Sequence, residues 1–144
     1  MSTIVIDASV AIKWAVEESD ADKAMALRKH RCVAPDLMVA EYTNILWKKV
    51  TRGQLSAAQA ELAATSLHLS GIKFHPMQDL AAPALKFSIA LAHPAYDCLY
   101  LALAEHMGCH FVTADAKLCR ELLAHDPLAR IVELDKAAET LRAH

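Results

Sequence analysis

Short apolar runs rich in β-branched residues recur along this chain, and longer stretches with helical periodicity separate them. The runs fall at residues 3–6, 32–34, 72–75, 109–112 and 130–132. Helical patterns occupy residues 10–16 (with Ser9 as cap), 20–30, the stretch after Pro35-Asp36 to 52, 57–70, 80–91, 95–107, 116–124, and a last segment from 136. Strands that are apolar throughout and alternate with helices read as a parallel sheet covered on both faces. The expected fold is a three-layer α/β/α sandwich with a central parallel sheet of about four to five strands. No composition break or repeat divides the chain, so residues 1–144 read as a single domain.

Composition removes several functions. The chain is 55% apolar and 22% charged with a formal net charge of −2, which argues against holding nucleic acid by bulk positive charge. No stretch is apolar for long enough to span a bilayer, and "MSTIVIDAS" has no basic segment of the kind that opens a secretory signal. Cys32, Cys98, Cys109 and Cys119 form no Cys-x-x-Cys pair and read as buried, reduced thiols of a cytoplasmic protein. A zinc site from Cys109, His110 and Cys119 has the wrong spacing.

The three glycines, Gly53, Gly71 and Gly108, each follow a helical run, where a helix end favours a left-handed residue. None remains for a phosphate-cradling loop, which excludes the glycine-dependent nucleotide-binding motifs.

Ligand sites in open α/β sheets lie beyond the carboxyl ends of the strands. Asp7 follows the first run and Asp115 the fourth, so both enter one crevice if those strands are neighbours. In "APDLMVAEYTNILWKKVTRG" helical spacing puts Glu41, Asn44, Ile45, Lys48 and Arg52 on one stripe. In "LAHPAYDCLYLALAEHMG" Asp97 enters the first turn of an otherwise apolar helix. Each acid also has a structural reading. Asp115 can cap a helix, Asp97 suits a helix N-terminus, Asp7 can bond its own turn, and Glu41 can pair with Lys48.

Four stretches, "VIDASVAIKW", "VAPDLMVAEYTNILWKKV", "HPAYDCLYLALAEHMG" and "FVTADAKL", together resemble the PIN-domain ribonucleases, and in detail the VapC-type toxins of bacterial toxin–antitoxin pairs. Asp7, Glu41, Asp97 and Asp115 fill the acidic positions of that family, and Thr113 fills its hydroxyl position. Some relatives carry a further acid where this chain has Ala116, Lys117 and Leu118, which leaves a second metal site open. The resemblance implies a metal-dependent endoribonuclease that leaves a 3′ hydroxyl and a 5′ phosphate. It also implies a small antitoxin held against the first helices and the Glu41 helix, with Trp14, Val16, Ile45 and Trp47 as contacts. A homodimer and a toxin–antitoxin hetero-oligomer follow.

The chemistry of four gathered acids supports that expectation. Carboxylates about 4 Å apart repel by roughly 4 kcal/mol per pair at an effective dielectric near 20. An all-oxygen donor set selects Mg²⁺ or Mn²⁺. Asp7 and Asp97 are expected to bind the ion directly. Glu41 and Asp115 are expected to bind through water or to activate the attacking water, and Thr113 and Ser9 to hold waters, with Asn44 in support. Lys13, Lys48, Lys49 and Arg52 are candidates for RNA phosphates. Trp14, Trp47 and Tyr96 can stack on bases or on a partner.

Two other phosphate chemistries fail on residue identity. A haloacid-dehalogenase-type phosphatase needs a second aspartate where Ser9 stands, and a receiver domain needs an aspartate where the third strand meets Pro76. The remaining alternative is a PIN-fold binding module, catalytically weak, acting through an antitoxin in transcriptional autoregulation.

Overall fold

Strand β1 (Thr3–Ile6) lies at the centre of a five-stranded sheet of order β3-β2-β1-β4-β5. The computed structural model describes residues 1–142, so the last two residues of the expected 1–144 domain lie outside the described residues. The other strands are β2 (Arg31–Pro35), β3 (Lys73–His75), β4 (His110–Thr113) and β5 (Ile131–Glu133), and every pairing is parallel. Ile4, Val5 and Ile6 are completely buried, as are Phe111 and Val112 of β4. That double-sided burial is why these strands carry no alternating polar residues. The edge strand β3 is shorter, and its Lys73 is exposed.

The helices are α1 (Ala8–Ala15), α2 (Ala21–Ala26), α3 (Leu37–Thr51), α4 (Ala57–Ser66), α5 (Ala81–Leu91), α6 (Ala95–Met107), α7 (Ala116–His125) and α8 (Leu134–Arg142). Right-handed crossovers put the helices between β1, β2 and β3 on one face of the sheet, and those between β3, β4 and β5 on the other. Packing agrees: α3 meets α1 and α4, α2 meets α8, and α6 packs on α5, β1, β2 and β4. The expected three-layer α/β/α architecture is present.

Several boundaries differ from expectation. The expected helices over 20–30 and 57–70 end at Ala26 and Ser66, and each tightens into a 3₁₀ turn, Leu27–Lys29 and Leu67–Leu69. Ser9 is not the cap of α1. Asp7 is, its carboxylate accepting from Ser9 N–H, so α1 begins at Ala8 and Ser9 lies in the first turn. Gly53, Gly71 and Gly108 all have positive φ; Gly108 closes α6 in the left-handed conformation at φ 62°. All four cysteines are free and buried, and burial raises each thiol, to about 11 for Cys32 and Cys98. Among the described residues no single helix is long and apolar enough to cross a membrane.

Candidate metal centre and nucleic-acid cleft

Pairing of β1 with β4 brings Ile6 opposite Val112, so the next residues, Asp7 and Thr113, emerge side by side at the carboxyl edge. Thr113 is fully buried, and its hydroxyl donates to Asp7 Oδ2 at 2.6 Å. Asp7 Oδ1 accepts from both the hydroxyl and the backbone N–H of Ser9. The two hydroxyls also accept backbone hydrogens from the turn after β4: Ala114 N–H donates to Ser9 Oγ at 3.0 Å, and Asp115 N–H to Thr113 Oγ1 at 3.1 Å. Each hydroxyl has one hydrogen, and Asp7 takes it. Ser9 and Thr113 therefore fix Asp7 in place.

Asp115 caps α7 through Leu118 N–H at 3.0 Å, and it also lines the cleft. The structural and functional readings of this residue are compatible, because capping engages Oδ1 alone.

Glu41 sits one turn inside α3, and the Tyr100 hydroxyl of α6 donates to its Oε1 across the end of the sheet. Tyr100 is held by stacking on Phe111 of β4, with ring centroids 5.3 Å apart. Asp97 lies in the first turn of α6, where His93 Nε2 meets its Oδ2 at 2.8 Å. A tight turn sets His93: Ala92 adopts φ 51°, His93 N–H donates to Ser88 O, and the Ser88 hydroxyl donates to His93 O.

The four acids thus come from β1, α3, α6 and the β4–α7 turn and line one open cleft of about 260 Å³, with Asn44 and Lys48 on its wall. Burial pushes the Asp7 carboxyl up to about 6. Its bonds to Ser9 and Thr113 oppose the rise, and the charges of Glu41 and Asp97 add to it. Burial also raises Glu41, against the bond from Tyr100 and with help from Asp97. Among the described residues no lysine or arginine pairs with any of these four acids, and no group of three or more His, Cys, Asp or Glu side chains is placed to hold a metal ion. The four carboxylates line one cleft without closing into such a group. A zinc cage of Cys109, His110 and Cys119 is likewise absent among the described residues.

A second cleft of about 360 Å³ continues from the first and shares Ser9, Ile45, Lys48 and Asp115 with it. Its wall carries all four cations singled out from sequence, but they are not equivalent. Lys49 Nζ lies 2.7 Å and Lys13 Nζ 3.7 Å from the Glu18 carboxylate, and Lys13 also donates to Ser19 O at 2.8 Å. Lys48 and Arg52 are exposed, and among the described residues they have no ion-pair partner.

Of the expected partner-contact residues, Trp47 is 61% exposed, whereas Val16 and Ile45 are partly buried. Trp14 is also partly buried, donates to Ala24 O at 2.7 Å, and lies under the Arg28 guanidinium. Sequence reasoning did not single out Tyr100 or assign His93 a role. Spacing held a signal only for the side of α6 on which Tyr100 lies, three residues after Asp97; His93 precedes the first residue of that helix.

Comparison with known proteins bears on the family and the fold. The profile of the PIN domain matches residues 4–121. VapC ribonuclease Mb0985 of Mycobacterium bovis is 30% identical over 115 residues, covering 80% of this chain and 87% of that protein. Ribonuclease VapC3 of Pyrobaculum aerophilum is 31% identical over 128 residues, covering 84% and 95%. The crystal structure of PAE2754 from Pyrobaculum aerophilum superposes with a TM-score of 0.69 at 26% identity over the whole of both chains. That of Mycobacterium tuberculosis VapC20, a Sarcin-Ricin loop cleaving toxin, gives 0.60 at 14% identity over 81% of this chain and 93% of that one, a likeness of fold alone. With a match over most of its length and relatives of this identity, the chain belongs to the PIN-domain family.

Proposed function

We propose that this protein is an endoribonuclease, the toxin of a toxin–antitoxin module, and that it hydrolyses RNA phosphodiesters with the help of Mg²⁺ or Mn²⁺. One observation carries the reading: four carboxylates from distant segments face one cleft, with Asp7 buried among like charges and no lysine or arginine to balance them among the described residues. The similarity to VapC ribonucleases supports RNA as the substrate.

The donor set suits a hard divalent ion. Mg²⁺ keeps several waters and needs one or two carboxylates, so a closed protein cage is not required. Asp7, oriented through both oxygens by Ser9 and Thr113, and Asp97, whose Oδ2 is met by His93, would hold it. When bound, such an ion acidifies a water and offsets charge on the phosphate. Glu41 keeps Oε2 for the cleft, since Tyr100 engages Oε1. Its raised affinity for protons, due first to burial, suits it to take the proton of the attacking water. Asp115 also lines the cleft and keeps its second oxygen, since capping engages Oδ1. Ser9 and Thr113 hold Asp7 in orientation throughout.

The antitoxin is expected on the α3 side. Val39 (45% exposed) and Trp47 share a stripe of that helix, and Leu62 of α4 (70% exposed) adds to the apolar surface there. A homodimer belongs to the same proposal.

The test is cleavage of a structured RNA by purified protein with Mg²⁺ or Mn²⁺, with and without chelator. Metal-dependent cleavage that disappears in Asp7→Asn and Asp97→Asn is the expected result. Cleavage indifferent to both substitutions would leave the cleft without a catalytic role.

A further inference from the structure

The basic cleft carries a charge arrangement that its composition hides. Four cations line it with two carboxylates, Asp115 where it joins the acidic cleft and Glu18, which takes hydrogen bonds or ion pairs from two of the cations. Lys49 reaches Glu18 Oε2 at 2.7 Å and Lys13 reaches Oε1 at 3.7 Å, with the Lys13 ammonium also on Ser19 O. These lysine side chains are 16% and 11% exposed. They lie folded against the segment between α1 and α2 and offer little to a ligand in the cleft. Lys48 and Arg52 differ in both respects, being exposed and without an ion-pair partner among the described residues.

On the ribonuclease reading above, we propose that the RNA backbone leaving the acidic cleft runs along a track of two cations, Lys48 and Arg52, and that Glu18 keeps Lys13 and Lys49 off it. Lys48 stands two helical turns beyond Glu41 on α3 and lines both clefts, so it meets the first phosphate outside the acids. Arg52 follows one turn later, about 6 Å along the axis. That rise is comparable to the separation of successive phosphates in a single strand. The ligand class is single-stranded RNA, read through phosphates and without regard to base. Glu18 thereby sets how many phosphates the cleft neutralises: its charge turns a wide basic surface into a narrow line.

Counterion release makes this countable. For a single strand the slope of log K against log salt changes by about 0.7 for each phosphate neutralised. The experiment measures binding of a short fluorescein-labelled oligouridylate by anisotropy, in chelator to prevent cleavage, over a series of salt concentrations. Lys48→Gln and Arg52→Gln are each expected to flatten the slope by about 0.7. Lys49→Gln is expected to leave it unchanged. Glu18→Gln frees one or two ammonium groups and is expected to steepen it by about 0.7 to 1.4. Should Glu18→Gln unfold the segment it anchors, seen as a lowered melting temperature, the contrast between Lys48→Gln and Lys49→Gln decides alone. A Lys49→Gln slope as flat as that of Lys48→Gln overturns the two-cation track while leaving the ribonuclease reading intact. Wild-type protein with no salt-dependent RNA binding overturns that reading, and the track with it.

Discussion

The hydroxyl of Thr113 donates to Asp7 Oδ2 at 2.6 Å, joining residues 106 positions apart in the chain across the carboxyl ends of two paired strands. A buried carboxylate oxygen that loses its donor bears the cost of its own desolvation, roughly 1.5–3 kcal/mol for a bond to a charged group. Thr113→Val keeps the shape of the side chain and removes the hydroxyl. Its unfolding free energy in urea is expected to fall by about that amount at pH 7. The loss shrinks near pH 4, where Asp7 carries a proton. Equal loss at both pH values would mean that packing, not the bond to a charge, dominates.

Asp7 makes the metal-free protein sensitive to pH. Its carboxyl titrates near 6 in the folded chain, against an ordinary value of 3.8, mainly because it is buried. The folded state therefore holds this proton more tightly than the unfolded one. The associated stability is complete below about pH 4 and is lost as pH rises through about 6. Asp7→Asn is expected to raise the melting temperature of metal-free protein at pH 7.5 and to change it little at pH 4. Mn²⁺ reverses the order: it stabilises wild type above pH 6, where the carboxylate is free to bind it, and leaves Asp7→Asn unmoved. Thermal melts across pH, with and without Mn²⁺, check both signs.

His93 and Tyr100 each hold one helical acid. Tyr100→Phe keeps the ring on Phe111 and removes the donor to Glu41. RNA cleavage is expected to slow about tenfold, equivalent to 1.4 kcal/mol at the transition state, with little change in KM. His93→Ala releases Asp97 Oδ2, and partners of metal ligands typically contribute 10–100-fold in affinity. Mn²⁺ affinity measured by calorimetry is expected to fall by that factor, with partial rescue in His93→Gln, whose amide can donate to the same oxygen.

Ala92 adopts φ 51°, where a Cβ is disfavoured and glycine is not. Ala92→Gly relieves that strain, and added freedom in the unfolded chain offsets part of the gain. The net expected stabilisation is about 0.5–1 kcal/mol, read as a higher urea midpoint. A lower midpoint would show that the methyl group contributes more by packing than it costs in backbone strain.

What the sequence made legible was whatever depends on local pattern. The apolar runs named all five strands, and the 3.6-residue period placed Glu41, Asn44, Ile45 and Lys48 along one wall of the cleft. Contacts between distant segments were not legible. Nothing local says that Tyr100 reaches across the sheet end to Glu41, or that Glu18 engages Lys13 and Lys49. The cap of α1 was misplaced by two residues because serine and aspartate serve that position equally well in sequence. The choice between them was made by the turn after β4, which supplies the backbone hydrogens that Ser9 and Thr113 accept.

The order of the strands has a consequence during synthesis. A ribosome releases Asp7 early, but β1 acquires β4 as its neighbour only when residue 113 and its surroundings have emerged. Until then Asp7 lacks Thr113, and Asp115 has no place beside it. A chain cut short before β4 cannot assemble the edge at which Asp7 and Asp115 meet. The central strand waits for a neighbour made more than a hundred residues later.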